Sequence, residues 1–367
     1  MTYNWQLPDW PAFSYDFAGL QSIMLDFAKE VGEVNGILQS LPQSLQEEAL
    51  IQLMISEAVK TSEIEGEYLS REDVMSSIRN NLGLNEKPIS VKDRRASGIA
   101  NLMIEVRKTY QDPLNASMLQ QWHFMLMEHA RGITPGVWRS SAALMQVISG
   151  SHGRETVHYE APPSDQMAKE MDRFIHWFNT VKFELEGDLA EAILKSALAH
   201  LYFESIHPFE DGNGRIGRAI SEKAIAISLK RPVMLSLSKV IEKDKKTYYK
   251  ELKKAQQTLV VTDWLSYFAG VILEAQREAK ITAQFTVKKA HFYDRYKDQL
   301  NERQLKVMNK MLEKGSDGFQ GGMTAAKYMA ITRISKATAT RDLQQLYEIA
   351  AMTQEGGGRS VRYHLNI

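Results

Sequence analysis

The twelve residues from His207 to Arg218, HPFEDGNGRIGR, concentrate the side chains that handle phosphate. Gly212 and Gly214 open backbone conformations closed to other residues, so consecutive N–H groups can converge on an anion. A helix starting at this loop would add its positive N-terminal end. Arg215 and Arg218, three apart, fall on one face of that helix's first turn. Two guanidinium forks on one edge suit a polyphosphate better than a single phosphate. Asp211 could hold a divalent ion that bridges phosphate oxygens, and His207 could take the proton of an attacking hydroxyl. The chemistry this predicts is phosphoryl or nucleotidyl transfer, without a P-loop, because GxxxxGK[ST] is absent. Plainer readings stand beside it: a simple Gly-rich turn, a structural histidine, or an Arg218–Glu222 pair four residues apart. A His-x-x-x-Asp metal hydrolase is a further option, for which no third ligand is evident at suitable spacing.

Helical periodicity dominates the sequence around this stretch, and strands are scarce. Leu189, Ile193, Leu194, Ala197, Leu198 and Leu201 mark a helix that Asp188 could cap. It must end near Ile206, because Pro208 biases His207 away from the α region. Past the loop, Ile216, Ile220, Ala224 and Ile227 restart a stripe, and from Ser164 another runs through Met167, Met171, Phe174, Ile175 and Phe178. Upstream, Ser44-x-x-Glu47 after Pro42 reads as a capping box for a helix whose face is Leu45, Ile51, Met54, Ile55, Ala58 and Val59. Gly66 is its natural stop. Between Trp138 and Pro163, Val147, Ile148, a Gly-rich turn and VHYEAPP predict a small hairpin. The opening, with Trp5, Pro8, Trp10 and Pro11, reads as an irregular arm packed by its aromatics.

A chain of 367 residues has room for two or three domains and a substantial core. Lys plus Arg and Asp plus Glu both number 45, so no bulk field draws the protein to DNA or anionic lipid. The absence of cysteine removes disulfides, thiol nucleophiles and thiolate metal sites, and suits a reducing compartment. The start carries no basic region followed by an apolar run, and no stretch nears about eighteen uninterrupted apolar residues. A cytoplasmic protein with no membrane partner is the expectation.

HPFEDGNGRIGR resembles the signature of Fic-domain proteins, HPFx[DE]GNGRxxR, at every fixed position. The resemblance implies an enzyme that transfers AMP from ATP to a Ser, Thr or Tyr hydroxyl of a target protein, or of itself, releasing pyrophosphate. It makes His207 the general base and Asp211 the holder of Mg²⁺. Gly212, Asn213 and Gly214, continued by Ile216 and Gly217, form the phosphate-binding stretch. Arg215 and Arg218 would neutralise the β and γ phosphates. Glycine at position 214 matches the members that transfer AMP rather than phosphate. Gly136-Val137-Trp138-Arg139 resembles the turn before the family's hairpin. Val157, His158, Tyr159 and Glu160 resemble the flap that docks a target segment by strand addition. Tyr248 and Tyr249 resemble the paired tyrosines that hold the nucleotide, with Gln256 where some members carry a nucleotide-contacting asparagine. Ordinary helix packing is the alternative for both tyrosines.

Thr61 to Gly66, TSEIEG, places Glu65 at a helix C-terminus, where the dipole disfavours an anion, on the same face as Thr61. A solvated carboxylate would cost only a few tenths of a kcal/mol there. The stretch also matches [ST]xxxE[GN], the inhibitory motif that class II Fic proteins carry ahead of the core. By that resemblance Glu65 pairs with Arg218 and forces ATP into an unproductive pose; some members also use this glutamate to remove AMP with water.

Residues 302–314, MTAAKYMAITRIS and KATATRDLQQLYEI predict three helices, the last with Ala339, Leu343 and Leu346 inward. Two alternating runs joined by three glycines follow, an order that resembles a winged helix-turn-helix. Residues 291–367 hold 12 Lys/Arg against 8 Asp/Glu, a difference of +4. Lys336, Thr338, Thr340, Arg341 and Gln344 would face outward, so residues 324–365 could bind DNA or, equally in kind, a protein or a second copy of the chain. The expected fold is mainly α, a Fic helical fold with a small β-hairpin flap and a C-terminal winged helix-turn-helix. Its expected divisions are 1–85, a helical segment with the inhibitory motif; 86–285, the catalytic core; and 286–367, the winged helix. The runner-up function is a transcription regulator whose core senses nucleotide, although sensing needs no general base.

Overall fold

The computed structural model describes residues 2–149, 156–183 and 187–367. Apolar stripes at three- and four-residue spacing become fourteen α-helices among these residues, with two short antiparallel hairpins. In chain order the first helices are α1 (Gln21–Gln39), α2 (Gln43–Ile64), α3 (Arg71–Asn81), α4 (Arg94–Lys108) and α5 (Ala116–Met127). The first hairpin, β1 (Gln146–Ser149) and β2 (Thr156–Glu160), is followed by α6 (Met167–Thr180), α7 (Asp188–Ile206) and α8 (Asn213–Ser228). Then come α9 (Leu237–Lys243), α10 (Lys245–Ala255), α11 (Thr262–Tyr296), α12 (Glu302–Leu312), α13 (Ala325–Thr332) and α14 (Lys336–Glu348). The second hairpin, β3 (Met352–Glu355) and β4 (Arg362–Leu365), closes the chain. The Gly-rich turn expected between β1 and β2 lies outside the described residues.

Two expected helix starts differ. α2 begins at Gln43, with the N–H groups of Leu45 and Gln46 closing on the Pro42 carbonyl at 2.9 and 3.1 Å. Ser44 therefore sits inside the first turn and is no cap. The cap of α7 is Gly187 at φ 112°, and Asp188 is the first helical residue, where its charge favours the dipole. The end of α7 falls at Ile206 as expected.

The chain packs as two compact units, residues 1–33 with 53–279 and residues 34–52 with 280–367. In the first, every residue of α7 from Ala192 to Ile206 is buried, which makes it a core helix covered on all sides. Its Ile193, Leu194, Ala197 and Leu201 pack with Trp264, Leu265 and Phe268 of α11, and the Trp264 indole donates to the Ala197 carbonyl at 2.8 Å. Against α8, Gly217 allows close approach, since a Cβ there would stand 2.5 Å from Glu204 Oε1. In the second unit, Val307, Met308, Tyr328, Leu343, Leu346 and Met352 form a core of three helices and the β3–β4 hairpin. Asp342 ties it together, accepting from Arg303 at 3.0 and 3.2 Å and from the Tyr328 hydroxyl at 3.0 Å.

α4 meets α5 at Gly98, where an added Cβ would collide with the Met125 carbonyl. Gly98→Ala is expected to cost about 1–3 kcal/mol of unfolding free energy. Gly32→Ala, in α1 with open space around it, is expected to gain about 0.5–1 kcal/mol. Urea denaturation of both variants checks the pair, and equal midpoints would refute the close packing.

Candidate active site

The loop after α7 is held from three sides. His207 takes a left-handed conformation, φ 51° and ψ 60°, and its N–H closes on the Phe203 carbonyl at 2.9 Å. Histidine enters this region more readily than most residues, but still at a cost of about 1–3 kcal/mol. Arg139 supports it: Nε donates to the His207 carbonyl at 2.8 Å, and Nη2 reaches the Pro162 and Ile206 carbonyls. A cation on the last carbonyls of α7 is what the dipole favours, and burial draws its pKa down to about 10.

Phe209 is fully buried, stacked on His123 with centroids 3.9 Å apart and 4.8 Å from Trp138. His123 Nδ1 accepts the Gly136 N–H at 2.8 Å, which leaves Nε2 to donate to the Asp211 carbonyl at 3.1 Å. Burial holds this histidine at about 4, so it is a neutral bridge between the Gly136 turn and the loop. Asn213 closes the loop on itself: Oδ1 accepts the Phe209 N–H at 2.9 Å and Nδ2 donates to the Phe209 carbonyl at 2.8 Å. Gly212, at φ 81°, then turns the chain into α8.

A cavity of about 650 Å³ opens over this loop. Glu65, His207, Asp211, Gly212, Asn213 and Gly214 line it with Tyr248, Tyr249 and Gln256, while His158 and Tyr159 of β2 line it with residues 145–148. His207 Nδ1 stands on the Glu204 side, 3.8 Å from Oε2. Burial first, then the Arg139 charge, bring its pKa to about 4. Glu204, buried beneath, is pushed up to about 8 by burial and by the charge of Glu65, and its Oε1 has no hydrogen-bond partner.

The end of α2 faces the same cavity. Gly66 at φ 82° forms a Schellman cap, with the Gly66 N–H on the Glu63 carbonyl at 3.0 Å and the Glu67 N–H on the Ser62 carbonyl at 2.9 Å. Glu65 Oε1 accepts from Arg218 Nη2 at 2.7 Å, and Thr61 takes Arg218 Nε and Nη2 on its hydroxyl and carbonyl at 2.7 and 3.0 Å. Burial alone would lower the Arg218 pKa, but Glu65 holds it above its ordinary value. Tyr249 lines the same cavity as Glu65, and Tyr248 bonds His200 Nε2 at 2.7 Å. Arg215 donates through Nη1 to Glu67 Oε2 at 2.8 Å. Arg215 Nε and Arg218 Nη1 remain buried without a partner.

Not every expected residue reaches the cavity. Ile216 packs in the core, Gly217 faces Glu204 and His200, and Arg215 and Arg218 lie behind the glycine loop. Val157 is exposed on β2, and Tyr159 is an anchor, its hydroxyl donating to the Ser205 carbonyl at 2.6 Å. The Glu160 carbonyl accepts the Trp5 indole N–H at 2.7 Å. The Arg218–Glu222 alternative is overturned, because Arg218 is taken by Thr61 and Glu65. The Asp211 side chain is 61 % exposed, with Arg215 Nη2 4.0 Å from Oδ1. Sequence reasoning missed the roles of His123, Arg139, Glu67 and Glu204; only Arg139, inside GVWR, lay in a quoted motif.

Residues 3–84 match the model of a domain of unknown function, DUF4172, and residues 113–224 match the Fic/DOC family. Protein adenylyltransferase Fic of Drosophila grimshawi is 28 % identical over 155 residues, 39 % of this chain and 28 % of that protein. Its counterpart in Nematostella vectensis is 27 % identical over 134 residues, 36 % of this chain and 26 % of that protein. The chain thus spans less than a third of the length of these relatives. A Fic family protein from Desulfovibrio desulfuricans G20 matches at a TM-score of 0.51 and 20 % identity, over 94 % of this chain and 95 % of that one. A Fic domain containing signaling protein from Bacteroides thetaiotaomicron matches at 0.53 and 17 %, over 71 % of this chain and 97 % of that one. The mainly helical fold is shared with both, and the stretch that matches the Fic/DOC family, residues 113–224, holds the loop from His207 to Arg218.

Proposed function

We propose that this chain transfers AMP from ATP to a hydroxyl side chain of a protein, and that its own residues 61–67 hold it inactive. The observation that carries the reading is the pair of buried, partnerless donors, Arg215 Nε and Arg218 Nη1, behind the glycine loop of the cavity His207 lines. Buried donors of this kind cost free energy unless an anion meets them. The names of the relatives, protein adenylyltransferase Fic, point the same way.

In this reading the target hydroxyl oxygen bonds the α-phosphorus, its proton passes to the His207 imidazole, and the bond from the α-phosphorus to the bridging β-phosphate oxygen breaks, releasing pyrophosphate. The α8 N-terminus and the two arginines stabilise the charge that grows on the leaving group. The exposed Asp211 suits Mg²⁺, an ion held by few carboxylates together with phosphate oxygens and water. Bound there, Mg²⁺ would neutralise phosphate charge. Tyr248 and Tyr249 form one wall for the nucleotide, and Val157 and His158 offer β2 to a target segment. Because Glu65 occupies Arg218, the nucleotide meets one of its binding groups already in use.

Glu65→Gly is expected to raise AMP transfer by about tenfold or more, the scale set by freeing a buried charge. His207→Ala in that background should lower it by about 10²–10⁴-fold. Mass spectrometry after incubation with ATP, Mg²⁺ and cell lysate reads both, and equal low activity with and without Glu65 sinks the inhibition. Since His207 stays neutral down to about 4, transfer by Glu65→Gly should be flat from pH 8 to about 5.5 rather than half lost near the ordinary 6.5. A half-loss near 6.5 would mean an exposed imidazole.

For residues 286–367 the proposal is a winged helix that binds DNA. Supporting it, Lys336, Thr340, Arg341 and Gln344 are exposed on α14, with Thr338 half-buried, and the β3–β4 hairpin follows. Lys336→Ala/Arg341→Ala should weaken the shift of a short duplex by about tenfold and flatten its salt dependence. Absence of any shift by the full chain would leave the unit a protein-binding module.

A further inference from the structure

Glu67 belongs to no motif, yet it is the charge partner of Arg215. We infer that Glu67 is a second nucleotide-competing carboxylate, so that phosphates must displace two acids, Glu65 from Arg218 and Glu67 from Arg215. The inference rests on the reading of the cavity as a nucleotide site.

Arg215 is 3 % exposed and its Nη1 meets Glu67 Oε2 at 2.8 Å. Its other contacts are weak: Nη2 reaches Met127 Sδ at 3.5 Å and Asp211 Oδ1 only at 4.0 Å, and Nε has no partner. Of the cations near Glu67, Arg95 is already engaged by Asp93 at 2.7 Å, which leaves Arg215 as the dominant partner. The position is unusual as well. In a Schellman cap the residue after the glycine commonly packs an apolar side chain back on the helix. Here that residue is an acid turned onto α8.

One left-handed glycine separates Glu65 from Glu67, so the two carboxylates move as parts of a single cap. Withdrawing the cap strips charge partners from two buried guanidinium groups at once, a state that is costly until other anions replace both. A di- or triphosphate can supply two anionic groups, and a monophosphate cannot. The site therefore selects for phosphate-chain length before any chemistry occurs.

Calorimetric titration of the full chain with ATP, ADP, AMP and adenosine tests this. Glu67→Gln should bind ATP and ADP about fivefold tighter or more than wild type, the scale of a lost competing charge, with adenosine unchanged within about twofold. Glu65→Gly/Glu67→Gln should exceed either single variant, and AMP should gain least. Adenosine is the control that a merely structural effect would move. Should Glu67→Gln fail to fold, Glu67→Asp breaks the reach while keeping the charge, and is expected to tighten ATP in the same direction. If Glu65→Gly tightens ATP and Glu67→Gln does not, the second carboxylate is wrong and the cavity reading survives. If no variant binds ATP, both fall.

Discussion

A guanidinium ion sealed from water must have a partner, and Arg218 at 1 % exposure is the constraint around which this site is built. A buried cation left alone costs several kcal/mol, so whatever meets Arg218 is bound strongly by default. In the chain by itself, the partner is the end of α2: a hydroxyl, a carbonyl and a carboxylate from Thr61 and Glu65. That carboxylate also solves a problem of its own helix. Glu65 sits where the dipole repels an anion, and Arg218 supplies the missing positive charge.

The rest of the loop is preorganised without reference to a ligand. Asn213 spends both ends of its amide on the Phe209 backbone, His123 bridges two turns while neutral, and Arg139 gathers the last carbonyls of α7. Little of this scaffold has to be ordered when something binds, which lowers the entropic cost of recognition.

Much of this was legible in advance for identifiable reasons. Pro208 stops α7 at Ile206 through a local steric rule, and Gly66 ends α2 for the same kind of reason. What could not be read were contacts made across the fold. Asp188 and Ser44 look like caps in isolation, yet the neighbouring Gly187 and Pro42 supply the helix starts. His123 and Glu204 carry no pattern on their own helices; their importance comes from burial against the loop. Gly217 was grouped with the phosphate loop, whereas its lack of a side chain serves the packing of α7 on α8.

Gly214 shows how such double duty complicates genetics. As a loop residue it reads as a position for backbone approach to phosphate, but a Cβ there would also strike Glu65 and crowd Arg218 Nη1. In the proposed reading, the same missing methyl group makes room for the nucleotide and for the carboxylate. A side chain at this glycine would therefore take room from both at once, so a replacement there cannot report on either role alone, whereas a change at the glutamate can.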